Sequence, residues 1–200
     1  MDMFRVFLES APAPGLRAAS YLVETPALGE DHARHPVHAV CEQVFDGRLS
    51  DAEGFARAKD LIGAGADLFH RDPDTLDSLV TTAIRLAAPS LAHALLDAGA
   101  THDAPGRSGA RPLHWAAIMG MPDLLERLLP GADLTERDRD CGSTPLGWAL
   151  EGWASPPRGS NGGHVVCAAA LVEAGAVVEA PWRDSARVRQ DCALRAALRI

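Results

Sequence analysis

The chain has 200 residues, 47% of them apolar and 23% charged, so it can bury a core as one domain or two small ones. A formal charge of -8 argues against a nucleic-acid backbone or an anionic membrane as the main partner, since both demand a cationic face. Aromatic residues are only 5% of the chain while Ala, Leu and Gly abound, a composition that suits closely packed helices and predicts an all-α protein.

In chain order, "MFRVFLES" and "GLRAASYLVE" predict two short helices within residues 1–34, with Met3, Phe4, Phe7 and Leu8 and then Leu16, Ala19, Tyr21 and Leu22 on their apolar faces. The first apolar run is interrupted by Arg5 and is too short for a secretory signal. No window approaches the roughly 18 apolar residues of a membrane span. Cys41, Cys141, Cys167 and Cys192 lie far apart with no CxxC spacing, which points to free thiols and a reducing, cytoplasmic compartment.

From residue 35 onward the chain repeats itself. An opening element recurs as "HPVHAV" at 35–40, "SLVTTAI" at 78–84, "RPLHWAA" at 111–117 and "TPLGWAL" at 144–150. Pro36, Pro112 and Pro145 suit the first turn of a helix, where the missing N–H costs nothing, and Ser78 and Thr144 are natural N-caps. A closing element recurs as "LIGAGADLF" at 61–69, "LLDAGATHD" at 95–103, "LLPGADLTE" at 128–136 and "LVEAGAVVE" at 171–179. Gly65, Gly99, Gly131 and Gly175 each follow an apolar run, where a helix ends most easily on a left-handed residue. Between the two elements, "SLAHALLDAG" and "DLLERLL" carry one-sided leucine stripes. Helices this short hide such stripes only by stacking on neighbours.

The wording and period resemble the ankyrin repeat, a β-turn followed by two helices with a T-P-L-H-x-A signature. The third copy carries the likeness best, through Pro112, Leu113, His114, Ala116, Ala117, Gly120, Leu128, Leu129, Gly131, Ala132 and Asp133. The second copy lacks the Pro and the His. In the fourth, Gly147 stands in the His position and "GGHVV" restores the Gly-His that opens the second helix. The organisation this implies is an ankyrin-like solenoid over residues 35–181, in units of about 35–72, 73–105, 106–138 and 139–181. Residues 1–34 cap one end and an Arg-rich helix within 182–200 caps the other, with Asp184 or Ser185 as its N-cap.

Pro36 to Gly65 and Pro145 to Gly175 are each about ten residues longer than Pro112 to Gly131. Turn-forming sequence fills both insertions, "FDGRLSDAEG" in the first copy and "WASPPRGSNG" in the fourth, and such insertions fall on one face of a solenoid. Trp153 stands at the start of the second.

His32, His35 and His38 have a spacing that suggests metal ligands, but Pro36 interrupts the helix that would align them. His38 and His114 occupy the signature position, which the resemblance assigns to hydrogen bonding within and between repeats. His114 with Cys141 suggests a thiol nucleophile and base, yet Cys141 belongs to the turn "DRDCGSTP". No GxSxG, phosphate loop, HExxH or dinucleotide fingerprint is present. No catalytic residue, cofactor or metal is therefore assigned. The alternative is a metal- or thiol-dependent hydrolase built at the insertions from His32, His35 or Cys141. Trp115 and Trp148, one repeat apart, are expected to meet across the repeat interface.

The resemblance implies a protein-binding module, a monomer that inhibits or regulates a partner, with its acidic charge favouring a basic one. Position by position, the partner face would draw on Glu42, Gln43, Arg85, Leu86, Ile118, Met119, Glu151 and Gly152 along the first helices. The turns would add Phe69, Arg71, Arg137 and Arg139, and the insertion Trp153. Ile118 and Met119 are expected to be exposed apolar contacts, with burial under the long neighbouring copy as the alternative.

Overall fold

The computed structural model describes residues 35–200, so the two helices expected within 1–34 lie outside the described residues. Each repeated phrase folds as a helical hairpin. The first comprises α1 (Pro36–Phe45) and α2 (Asp51–Gly63), the second α3 (Leu79–Arg85) and α4 (Pro89–Asp97). The third comprises α5 (Pro112–Ile118) and α6 (Pro122–Leu128), the fourth α7 (Pro145–Ala154) and α8 (His164–Glu173). Short helices α9 (Ala180–Arg183), α10 (Ala186–Gln190) and α11 (Cys192–Leu198) follow. The first helices stack in the order α1, α3, α5, α7, the second helices form a parallel row in the order α2, α4, α6, α8, and α11 closes the stack against α8. Among the described residues the only sheet-like pairing is an isolated antiparallel bridge between Arg71 and Ser78.

Local chemistry sets the helix starts. Pro36, Pro112 and Pro145 lie in the first turns of α1, α5 and α7. Where the second copy lacks its proline, the Ser78 hydroxyl accepts from Thr81 N–H at 3.2 Å, and Thr144 caps α7 in the same way through Gly147 N–H at 3.2 Å. The hairpins end as the sequence suggests: Gly65, Gly99, Gly131 and Gly175 have φ of 89°, 82°, 78° and 106°. A Cβ in that left-handed region is strained, so these four ends require glycine.

Packing follows from residue size. Leu91, Leu95, Leu125 and Leu171 on the second helices are fully buried, and so are Ala83, Ala116, Ala117 and Ala149 on the first. Small side chains on one row let the other row's leucines interdigitate at close helix spacing.

Two expectations need correction. The first insertion is not all loop, because residues 51–54 are the first turn of α2, started by a capping box in which Glu53 N–H donates to Ser50 Oγ and Ser50 N–H to Glu53 Oε2. The C-terminal segment is three short helices in place of one. Its effective cap is Asp191, whose carboxylate accepts from Leu194 N–H at 2.9 Å, whereas Ser185 makes no side-chain cap bond. The extended backbone at Asp191 breaks the run between α10 and α11.

Candidate functional site

Three turns project from the starts of α3, α5 and α7, and their shape is fixed by side chains bonding to nearby main chain. Asp72 Oδ1 accepts from Asp74 N–H at 2.9 Å and Thr75 N–H at 2.7 Å. Asp138 repeats the pattern with Asp140 N–H at 3.0 Å and Cys141 N–H at 2.7 Å. Its other oxygen accepts from Ser143 N–H at 2.9 Å and Trp148 Nε1–H at 3.0 Å. Burial by itself would raise both carboxyl pKa values, but these hydrogen bonds prevail and hold both below the usual range. Adjacent tips are then joined through the main chain, Arg107 N–H to Thr75 O at 2.7 Å and Arg139 N–H to Ser108 O at 2.6 Å. The result is one continuous edge whose backbone is held by its own hydrogen bonds.

Exposed side chains along that edge include several of the expected contacts. Phe69 is 70% exposed. Leu76, absent from the contacts expected from sequence, is 40% exposed and sits at φ 57°. Nothing in its local sequence marks it, because its exposure follows from the turn's reversal. Arg71 spans the first two tips, donating to Leu76 O at 2.7 Å and Pro105 O at 2.5 Å. Arg137 is held by Gly142 O at 2.6 Å and Glu179 at 2.7 Å, while Arg139 is exposed at the third tip. Glu42 and Gln43 on α1 are half-buried.

The first-helix contacts are otherwise overturned. Leu86, Ile118, Met119 and Glu151 are 2%, 1%, 0% and 5% exposed, and the half-buried Arg85 faces Asp77 at 3.4 Å. Ile118 belongs to the buried core cluster, while at Met119 the second insertion, residues 155–163, folds back over the ends of the first helices. Asn161 N–H donates to Met119 O at 2.8 Å and Gly163 N–H to Gly120 O at 3.0 Å. His164 Nε2 donates to Ile118 O at 2.9 Å, and burial of the ring lowers its pKa against the opposing pull of that bond. Gly163 packs so closely that a Cβ there would fall 2.7 Å from Gly120 O. Trp153 is half-buried under the Arg187 guanidinium, 4.8 Å from the ring centroid. Burial, with the Asp138 charge adding to it, pushes the Glu151 carboxyl up to about 7, and Glu151 Oε2 has no hydrogen-bond partner.

Of the residues of the hydrolase alternative, His35 precedes α1, Cys141 lies in the turn before α7, and His114 lies on α5. His114 Nδ1 accepts from Arg111 N–H at 3.2 Å and Nε2 meets Glu136 O at 3.3 Å, so both ring nitrogens are engaged. Burial lowers its pKa to about 4. His38 approaches Asp72 at 3.4 Å, and His35 stacks on His70 at 4.6 Å between centroids, while His32 is outside the described residues. Among the described residues no three His, Cys, Asp or Glu side chains are grouped to hold a metal ion. Burial pushes the thiols of Cys41 and Cys167 up to about 12, far from a reactive thiolate. Trp115 and Trp148 meet edge to face at 5.0 Å, as their one-repeat spacing suggests. A cleft of about 140 Å³ beside the third hairpin is lined by His102, Asp103, Arg111, His114 and Asp133. Its one guanidinium, Arg111, is already paired with Asp103 and Glu136.

No helix among the described residues is long and apolar enough to cross a membrane. The family model of the ankyrin repeat matches residues 108–139, the stretch that runs from the second tip through α5 and α6 to the third tip. No curated protein matches the chain.

Proposed function

We propose that the chain, whose residues 108–139 match the ankyrin-repeat family model, binds a protein partner along the edge formed by its turn tips and regulates that partner by covering its surface. The observation that carries this reading is the main-chain ladder between successive tips, Thr75 to Arg107 and Ser108 to Arg139. A surface ordered in advance loses little conformational entropy on docking, and the saving appears as affinity. On this edge Phe69 and Leu76 offer apolar area, Arg139 offers a planar guanidinium suited to carboxylates, and Arg71 holds the first two tips together. The net charge of -8 favours encounter with a basic partner, while the arginines set local register once the two surfaces meet. Residence in the cytoplasm and action as a monomer belong to the same proposal.

The test is a double substitution, Phe69→Ser with Arg139→Glu. Both side chains are exposed, so the variant should keep its helical spectrum and melting temperature. Cross-linking and affinity capture from the native source, with the captured protein identified and its binding remeasured in purified form, should fall by at least about tenfold, the loss expected when an interface anchor is removed. Unchanged affinity for that purified partner would remove the tip edge from the interface.

A further inference from the structure

The second insertion carries the chain's single asparagine, Asn161, and a glycine follows it directly. Asparagine is a thermolabile residue because the main-chain nitrogen of the next residue can reach its side-chain carbonyl carbon and close a cyclic imide. The dipeptide supplies only the opportunity, since a nitrogen or a carboxamide held by a hydrogen bond is withheld from that reaction. Here both are free. Among the described residues, neither the Asn161 carboxamide nor the Gly162 N–H has a hydrogen-bond partner. Asn161 and Gly162 are both exposed. Gly162 has no Cβ to obstruct the approach, and its φ of 77° reserves the position for glycine. Asp46–Gly47 shows the contrast, because there the glycine N–H is held by Val44 O at 3.0 Å.

We propose that Asn161 is a site of covalent self-modification, deamidated through attack by the Gly162 nitrogen with water as the only co-reactant. Gly162 N gives up its proton to solvent and bonds to Asn161 Cγ. The bond from Cγ to the side-chain nitrogen breaks, and that nitrogen leaves as ammonia after taking up a proton. Water then adds to either carbonyl of the imide. Opening at Cγ gives aspartate, and opening at the main-chain carbonyl gives isoaspartate, in which the main chain runs through Cγ. No electrons are exchanged: amide and water become carboxylate and ammonium. The isoaspartyl product matters for the fold because it lengthens the main chain between two residues that grip the end of α5. Asn161 N–H donates to Met119 O at 2.8 Å and Gly163 N–H to Gly120 O at 3.0 Å, acceptors on consecutive residues. An added methylene between the donors upsets that match. Gly163 cannot take up the slack by moving inward, as a Cβ there would already fall 2.7 Å from Gly120 O. Deamidation therefore adds a negative charge to the exposed insertion and loosens its attachment to α5.

Peptide mapping by mass spectrometry tests this on the purified full chain incubated at physiological temperature, with a synthetic peptide of residues 158–165 as the unfolded reference. The expected result is an amide-to-acid mass change confined to Asn161, in separable aspartyl and isoaspartyl forms. Its rate should lie within about tenfold of the free peptide's, since a fold that leaves both reactants free adds little to the barrier. It should also rise with pH, because the attacking nitrogen is the deprotonated one. Asn161→Gln keeps the carboxamide and the main-chain donor but demands a larger ring, and position 161 should then stay unmodified. Gly162→Ala adds a Cβ that meets nothing within 4 Å, so the variant has room to fold and should react more slowly than the unsubstituted chain. In the modified chain the Gly163 amide should exchange with solvent faster than before, with the helical spectrum unchanged. An Asn161 carboxamide that survives in the folded chain after the peptide has fully reacted would overturn the proposal. So would aspartate formed without isoaspartate, which would mean direct hydrolysis with no imide, or a Gly163 exchange rate that the modification leaves unaltered. None of these readouts involves a partner, so a negative result leaves the tip-edge test standing on its own.

Discussion

Two buried ionisable side chains give the molecule opposing responses to pH. His114 is neutral in the folded chain because burial removes water and both its nitrogens already serve main-chain groups. With its folded pKa near 4 against the usual 6.5, its contribution is present above pH 6.5 and is lost as pH falls toward 4. Glu151 acts the other way. Burial raises its pKa from the usual 4.5 to about 7, so the folded chain holds a proton that the unfolded chain gives up. Stability associated with Glu151 is greatest below pH 4.5 and is lost as pH rises through 7. The total is on the order of 3 kcal/mol, since each tenfold change in proton affinity is worth about 1.4 kcal/mol. Glu151→Gln removes that proton. Relative to the unsubstituted chain, the variant should gain unfolding free energy steadily between pH 4.5 and 7 and gain nothing further above pH 8, as measured by urea unfolding at each pH. A difference independent of pH would mean that Glu151 is solvated. Neither shift can be read from the sequence, in which Glu151 looks like an ordinary exposed slot on a helix.

At the scale of elements, starts and stops were legible and insertions were not. Pro at N1, Ser or Thr at the N-cap and Gly at the hairpin ends act within a few residues, so reading them needs no knowledge of the fold. The first insertion shows the limit. "LSDAEG" reads as turn chemistry, yet Ser50 and Glu53 form a capping box that turns its second half into helix. Ser50→Ala should therefore cost about 1 kcal/mol by removing the acceptor of Glu53 N–H, measured as a shift in the urea midpoint with the slope unchanged. If residues 51–54 were loop, as their composition suggests, the substitution would leave the midpoint where it is. The second insertion has the same turn-rich composition and a different fate. What sends it back over α5 is a fit to Gly120 and Ala87, residues in two other hairpins.

For the whole molecule, stacking exposes one apolar flank at each end, and α11 resolves this at the C-terminal end. Leu194 and Leu198, 0% and 2% exposed, pack this helix on α8. Arg187, Arg189, Arg195 and Arg199 are exposed, which supplies the polar outer face that a terminal unit needs. Leu194→Ala should destabilise the chain by about 2–4 kcal/mol. Because a linear array loses its end first, hydrogen exchange should quicken in α8 and α11 before α3 and α4. Uniform acceleration would show that the four hairpins unfold as one body.

The sequence by itself determined the repeating hairpin, its caps and glycine ends, and the leucine and alanine rows that stack. Each of these depends on residue spacing within one or two helical turns or on a period that any copy displays. Only the tertiary structure decided which expected contact residues reach solvent. Phe69 and Arg71 do, whereas Ile118 is part of the core and Met119 lies beneath the chain some forty residues further on, as the separation of Met119 and Asn161 shows. Exposure is a property of what else arrives at a surface. A pattern confined to one repeat carries no record of a distant segment that folds back on it.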